Sequence, residues 1–367
     1  MSRVLVIVVT YNGTPWLERC LSSVCSDLYV WDNDSTDGSA DLVASRFPQA
    51  HLVRSAENVG FAKANNMGFQ YALDHGYDYV YLLNQDAWLE EGALDILLAA
   101  ASAHPEFAVL SPLQMTDGYQ ALDYQFSRIC GFGGRHALRN RPGTGGGTCP
   151  GIPNPQVDQV QSEVAPVNLV QGDDVPVDQV QGKNGRGSIS GAGPGPAGVD
   201  STGLGGTVAG PGPGDIIEPS PKSGWTRSKA EREPISVKRV MAAHWLVPVK
   251  AIREIGLFNE ELFPLYGQDD DWCNRARYKG WKIGVVKEAR AVHDRANRPE
   301  SKERLIERNY RSASLVRLAD PNRPRWASFL YVGLYTLVKA IKYRSLNVFR
   351  AFRQICSQLS AVRAARR

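Results

Sequence analysis

Apolar positions in the first third of the chain come in short, nearly unbroken runs separated by helix-spaced segments. Val4–Thr10 (VLVIVVT) is continuous, apolar and β-branched, the pattern of a strand buried on both faces of a parallel sheet. Pro15, after the Asn12-Gly13 turn, suits the first turn of a helix carrying Trp16, Leu17 and Leu21. The same reading predicts strands at Leu28–Trp31, His51–Arg54, Tyr77–Leu83 and Val109–Pro112. Between them it predicts a helix capped by Asp37 or Ser39, a helix over Phe61–Leu73 and another over Leu89–Ala103. Strands and helices alternating at this spacing define βαβ units, hence an α/β fold with a mostly parallel central sheet flanked by helices.

The rhythm then stops. Residues 131–224 hold about two-thirds of the glycines and over half of the prolines, with no aromatic between Phe132 and Trp225. Such a stretch buries too little apolar surface to offset chain entropy, so a mobile low-complexity Gly/Pro/Val insertion is expected. A repeat with a period of about ten, in Val157–Gln161, Val167–Gln171 and Val177–Gln181, makes at most a small strand-and-turn array. Regular patterning returns near Val237. A strand is expected within Val240–Val249, a short helix at Lys250–Ile255, a helix at Asp269–Lys279, and strands at Lys282–Val286 and Ala289–His293. From Glu300 the chain reads as helical, interrupted at Asp320–Pro324.

Charge changes this picture at one end. The net charge is only +4, yet residues 301–367 carry 15 Lys/Arg against three acids, leaving the remainder acidic. An acidic body with a basic tail fits a carboxylate-rich substrate site and a tail facing anionic lipid or polyphosphate, without nucleic acid as a partner. After Trp326 the tail mixes apolar residues (Phe329, Leu330, Leu334, Leu337) with Lys339, Lys342, Arg350 and Arg353. It reads either as an interfacial helix on anionic lipid or as a helix packed on the body with a solvated basic face. No stretch reaches the ~18–20 apolar residues of a membrane span. Met1-Ser2-Arg3 leads directly into the first strand, and the six cysteines show no metal or redox spacing. Reduced thiols and a cytoplasmic protein, peripheral on the inner face of the plasma membrane, are the expectation.

Three polar clusters follow predicted strands directly: Thr10-Tyr11-Asn12, Asp32-Asn33-Asp34 and Asn84-Gln85-Asp86. Ligands of open α/β sheets bind at the carboxyl ends of strands. Asn and Asp there are also ordinary turn formers and caps, but all three clusters in one sheet point to one site. No glycine-rich phosphate cradle is present, so phosphate needs a metal ion. Asp86 is a hard oxygen ligand for Mg²⁺ or Mn²⁺, and His293, at the end of a strand, is placed to join it. Tyr11 can pack on a base and Asp32 can accept a base imide N–H. Later, Gln268-Asp269-Asp270-Asp271 sets adjacent carboxylates at a helix start. There they meet the helix dipole, and one can act as general base toward a hydroxyl. Asp271 is equally suited to cap the helix or pair with Arg275.

These residues resemble the family 2 glycosyltransferases of GT-A fold, in their bacterial rhamnosyltransferase-like branch. The resemblance rests on Val8–Asn12, Trp31–Ser39, Asn58–Ala62 with Asn65, Leu82–Ala87, Gly256–Glu260, Tyr266–Arg275, Gly280-Trp281 and His293. It implies that Thr10, Tyr11, Asn12 and Asp32 bind the nucleotide base, and that Asn58, Gly60, Phe61 and Asn65 line the nucleotide-sugar site. Asn33, Asn84 and Gln85 belong to the same donor site. Asp86 and His293 are the implied metal ligands and Asp269 the base of an inverting displacement. Asn84 stands where the metal motif usually has its first Asp, and Gln268 where a Glu usually precedes the base. Lys63 replaces a glycine and can touch a phosphate. On the acceptor side stand Gln268, Asp270, Asp271 and Trp245, the last either stacking on a sugar or filling the core.

The organisation expected is a nucleotide-sugar-binding half (1–130), the insertion (131–224), an acceptor-binding and catalytic half (225–310) and a basic amphipathic helical tail (311–367). The implied activity moves a sugar, L-rhamnose from dTDP-rhamnose, to a saccharide or lipid-linked acceptor in cell-surface polysaccharide synthesis. The alternatives are a catalytically impaired sugar-nucleotide-binding partner protein, suggested by Gln268 and the insertion, and a nucleotidyltransferase. The last lacks a glycine- and basic-rich triphosphate loop after the first strand.

Overall fold

A computed structural model describes residues 2–116, 121–132, 233–294, 302–343 and 347–366, all within one compact unit. The expected insertion, except for residues 131 and 132, lies outside the described residues together with its ten-residue repeat.

The first half builds the expected βαβ units: β1 (Val4–Thr10), α1 (Thr14–Ser22), β2 (Asp27–Asp32), α2 (Ser39–Arg46), β3 (His51–Arg54), α3 (Phe61–Asp74) and β4 (Tyr79–Asn84). After these come β5 (Ala87–Leu89), α4 (Ala93–Ala103), β6 (Phe107–Met115) and α5 (Tyr124–Cys130). The second half adds β7 (Ile235–Val237), β8 (His244–Pro248), α6 (Val249–Ile255), α7 (Gln268–Tyr278) and β9 (Lys282–His293). Four helices close the chain: α8 (Lys302–Ala319), α9 (Arg325–Tyr343), α10 (Asn347–Ser357) and α11 (Leu359–Ala365). The boundary placed at 310/311 therefore falls inside α8.

The strands form one sheet of order β3-β2-β1-β4-β8-β6-β9-β5, with β7 also on β9. It is parallel from β3 to β4 and becomes mixed at β8, which runs antiparallel to both β4 and β6. The two strands expected at 282–286 and 289–293 are one strand, β9, whose pairing with β6 shifts register between Pro112 and Leu113.

Alternation along β1 explains the layering. Leu5 and Ile7 join a core with Phe69, Trp245 and Trp272 on one face, while Val4, Val6 and Val8 meet Leu17, Leu21, Val43 and Leu97 on the other. A third, smaller core joins α8–α11 to Leu262 and Phe263.

One helix starts later than its sequence predicts. Residues 87–89 pair with β9 as β5, with Trp88 buried, and α4 begins only after Gly92, whose φ is +76°. The thiols of Cys20, Cys130, Cys273 and Cys356 are free, whereas Cys25 is disulfide-bonded, contrary to expectation. The Cys130 Sγ lies 3.9 Å from the Arg239 carbonyl oxygen, so the chain on either side of residues 133–232 meets in a stem.

Candidate active site

The three strand-end clusters come together at the carboxyl edge of β1, β2 and β4, adjacent strands of the sheet. Neutral hydrogen bonds hold them there. The Gln85 Oε1 accepts from the Thr10 hydroxyl and from the Tyr11 N–H, both at 2.8 Å. Asn33 donates from its backbone N–H to the Thr10 carbonyl at 2.8 Å, and its amide donates to the Asn58 Oδ1 at 2.7 Å. The Val59 N–H returns a bond to the Asn33 Oδ1 (2.9 Å), and the Gly60 N–H donates to the Asn58 Oδ1 (3.0 Å). Gln85, Asn33 and Asn58 thus position the loops.

Asn12 has a φ of +49°, a left-handed conformation that Asn tolerates better than most residues, and its Oδ1 accepts the Thr36 N–H at 2.9 Å. Asp37, expected as a cap, accepts the N–H groups of Ser39 and Thr14, tying α2 to α1. Tyr11 and Phe61 are half-buried, and Lys63 is exposed. The buried Asn65 donates to the Phe61 carbonyl within α3.

Asp32 is the informative member. It is 3% exposed, and one oxygen accepts the Ser35 N–H at 3.1 Å. Its Oδ2 is buried with no hydrogen-bond partner in the protein. An unmade bond at a buried carboxylate is destabilising, so this oxygen is an acceptor waiting for a donor such as an imide N–H.

At the next strand end, the Asp86 Oδ1 and the His293 Nε2 lie 3.5 Å apart, because β5 pairs antiparallel with β9 and sets Ala87 opposite His293. The Asp294 N–H donates to the Asp86 carbonyl at 2.8 Å, and the Asp294 carboxylate accepts the Trp16 indole N–H at 3.0 Å. Among the described residues no group of three or more His, Cys, Asp or Glu is placed to hold a metal. A carboxylate beside an imidazole whose Nδ1 is buried and unpartnered nevertheless fits a divalent cation completed by phosphate oxygens and water.

The acidic cluster sits on the first turn of α7, where the dipole favours it. Gly267 precedes it with φ +93°, and a Cβ there would stand 2.7 Å from the Ser312 Oγ and 2.9 Å from Phe263. The preceding loop docks on the start of α3: the Pro264 carbonyl accepts the Ala62 N–H at 3.0 Å and lies 3.1 Å from where a Gly60 Cβ would be.

The three carboxylates have separate fates. Burial first, and the neighbouring Asp270 charge second, raise the Asp269 carboxyl to about 7. Asp270 pairs with Arg239 at 2.7 Å. Asp271 is 1% exposed and pairs with Arg275 at 2.9 Å; burial holds its pKa up despite that partner. Arg275 also donates to the carbonyls of Ile255 and Leu257, so Asp271 belongs to a structural clasp, the second of its two readings. Gln268 is buried with its Oε1 unpartnered.

Trp245 requires a correction. It is fully buried on β8, its ring 5.7 Å from that of Trp272 and 6.0 Å from that of Phe258, so it presents no face to an acceptor sugar. Its neighbour His244 is a neutral core group. Burial lowers its pKa to about 3, and its ring nitrogens contact the Tyr81 hydroxyl and the Val292 carbonyl. Two contacts were not anticipated from the sequence, Arg239 beside Asp270 and Trp16 on Asp294. Both join residues far apart in the chain, and no local pattern marks them.

A mixed α/β sheet with polar strand ends at β1, β2 and β4, together with an acidic helix start at α7, is the arrangement expected from the sequence. Residues 5–151 match the family model described as Glycosyl transferase family 2. Relatives from two strains of Mycobacterium tuberculosis, CDC 1551 / Oshkosh and H37Rv, both N-acetylglucosaminyl-diphospho-decaprenol L-rhamnosyltransferases, are 34% identical over 122 residues. That match covers 29% of this chain and 40% of theirs, so the chain spans less than half the length of these relatives.

Among solved structures, the Pyrobaculum calidifontis mannosyltransferase PcManGT, in complex with GDP-Man and Mn²⁺, is 15% identical with a TM-score of 0.48, over 99% of this chain and 75% of that one. S. aureus TarS 1-349 with UDP-GlcNAc is 13% identical with a TM-score of 0.43, over 93% and 73%.

Proposed function

We propose that the protein is an inverting glycosyltransferase that moves L-rhamnose from dTDP-rhamnose to a saccharide or lipid-linked saccharide acceptor in cell-surface polysaccharide synthesis. The observation that carries the transfer reading is Asp269. It is a half-buried carboxyl raised to about 7, on a helix whose preceding loop is bonded to the donor half. A base with that acidity is half-ionised near neutral pH, where proton abstraction is most effective. The choice of rhamnose rests on the relatives, which are rhamnosyltransferases acting on a lipid diphosphate sugar.

The donor's base would lie on Tyr11, its imide N–H donating to the Asp32 Oδ2, while Thr10, Asn12 and the Asn33–Asn58 web keep the loops in place. Asp86 and His293 would hold a Mg²⁺ or Mn²⁺ ion. Such a cation supplies positive charge to the diphosphate that departs. The Asp269 carboxylate takes the proton of the acceptor hydroxyl. The freed oxygen attacks the anomeric carbon from the face opposite the diphosphate, the bond from that carbon to the phosphate oxygen breaks, and the configuration inverts. The nucleoside diphosphate leaves with the electron pair. In this reading the basic tail meets an anionic membrane from the cytoplasmic side.

The test is incubation of the full chain with radiolabelled dTDP-rhamnose or UDP-sugars and lipid-linked acceptors, with Mn²⁺ or EDTA. Metal-dependent transfer is expected. Absence of transfer and of nucleotide release with every donor would remove the enzyme reading.

A further inference from the structure

We propose that the outer face of α9 lies on an anionic lipid bilayer. A helix in contact with water carries polar residues on its outer side. In α9 both sides are apolar. The inner side packs through Val332 and Thr336, the latter bonded to the Tyr310 hydroxyl of α8. The outer side holds Trp326, Leu330, Leu334, Leu337 and Ile341, successive turns of one stripe. All are more than half exposed, with Trp326 at 71% and Ile341 at 68%. An exposed apolar strip of this extent on a water-soluble body marks a contact surface.

Charge selects the occupant. From Arg325 to Arg367 the chain has nine Lys/Arg and no Asp or Glu. Arg325 and Lys342, next in the chain to Trp326 and Ile341, are exposed, as are Arg350 and Arg353 on α10. A second copy placed on this face would set like charges against each other. An anionic bilayer accepts the apolar stripe and the cations together, with Trp at the interface. The helix lies on the surface, since among the described residues no helix is long and apolar enough to cross a membrane.

The placement has a consequence for catalysis. α8–α11 share their apolar core with Leu262 and Phe263, just before α7. A face seated on lipid would therefore hold the base-bearing helix at a fixed height above it, where a lipid-linked acceptor presents its sugar. This deepens the peripheral placement proposed above and is independent of the donor and metal assignments.

Flotation of the full chain with vesicles of phosphatidylcholine alone, or with phosphatidylglycerol added, tests it. Binding is expected on the anionic vesicles and should weaken as salt rises. The variant Leu330→Glu with Leu337→Glu should lose roughly tenfold or more of that binding, while keeping the wild-type melting curve and transfer to a water-soluble acceptor. As a second measurement, lipids with brominated chains should quench tryptophan fluorescence in the wild type and much less in Trp326→Phe. Equal vesicle binding by the double variant, or no binding by the wild type, overturns the proposal. So does a wild-type dimer that the double substitution converts to a monomer, since a second copy would then cover the face. Failure of sugar transfer with vesicle binding intact would instead count against the catalytic reading alone.

Discussion

The strand-end cluster at β1, β2 and β4 and the helix start of α7, proposed above to bind the donor and to take the acceptor's proton, are built by opposite means. Thr10, Gln85, Asn33 and Asn58 are linked by neutral hydrogen bonds that satisfy one another, leaving chiefly the Asp32 Oδ2 open. At α7 three carboxylates share one turn, and one of them, Asp269, carries the strain of burial first, and of the neighbouring Asp270 charge second, as a raised pKa. Satisfied neutral groups make a rigid mould for a ligand. A buried carboxyl beside another charge is a group whose protonation state is easily changed. In the proposed reading, binding and proton transfer are thus separated in both space and kind of force.

The sharpest way to break this contrast is Asp269→Asn. Transfer should fall roughly 10²–10⁴-fold, while donor affinity, measured by calorimetry, stays unchanged. The linkage has a definite sign. The folded-state pKa of Asp269 lies above the ordinary carboxylate value, so the folded protein binds more protons than the unfolded chain between about 4 and 7. That contribution to stability is lost as pH rises through this window. The Asn variant should therefore melt above the wild type at pH 8 and not at pH 4. A lower melting temperature at pH 8 would remove the strain argument. The wild-type transfer rate should in turn decline as pH falls through about 7, with the slope of a single proton.

Asp86→Asn comes next. It should reduce metal-supported transfer by about 10²-fold or more and abolish Mn²⁺ enhancement of donor binding. Unchanged Mn²⁺ titrations would separate Asp86 from the metal. Gln85→Ala attacks the mould itself. With bonds to Thr10 and Tyr11 removed, about 1–3 kcal/mol of stability should go at roughly 1 kcal/mol each, and donor Kd should rise more than kcat falls. The smallest effect on activity is expected from Trp245→Phe. Acceptor KM should stay within about twofold, because the ring is a core group, and the cost should appear as about 1–3 kcal/mol of stability from the lost volume. A large KM change would return Trp245 to the acceptor site.

The sequence reveals these two regions to different depths. β1 begins and ends where its apolar run does, because a strand buried on both faces has no other composition available to it. The strand-end clusters were legible for the same reason: a polar residue directly after such a run has to sit at the sheet edge. Leu89, expected as the start of a helix, ends β5 instead: three apolar residues carry no period, and only pairing with β9 makes them a strand. Trp245 was equally suited to core or sugar, and burial against Trp272 decides it. The role proposed for Asp269 as a base rests on resemblance. Its altered acidity is a product of burial and of the Asp270–Arg239 pair, which no local spacing encodes.

The stem at Cys130 and Arg239 has a further implication. Two chain positions more than a hundred residues apart are held at 3.9 Å by the sheet and its helices. Closing a loop between fixed ends grows harder only logarithmically, at about 0.6 kcal/mol for each doubling of length. The sheet is therefore nearly indifferent to how much chain is strung between those points. The stem works as a splice point: a lineage, or an engineer, can exchange what is carried there while the reaction centre keeps its geometry.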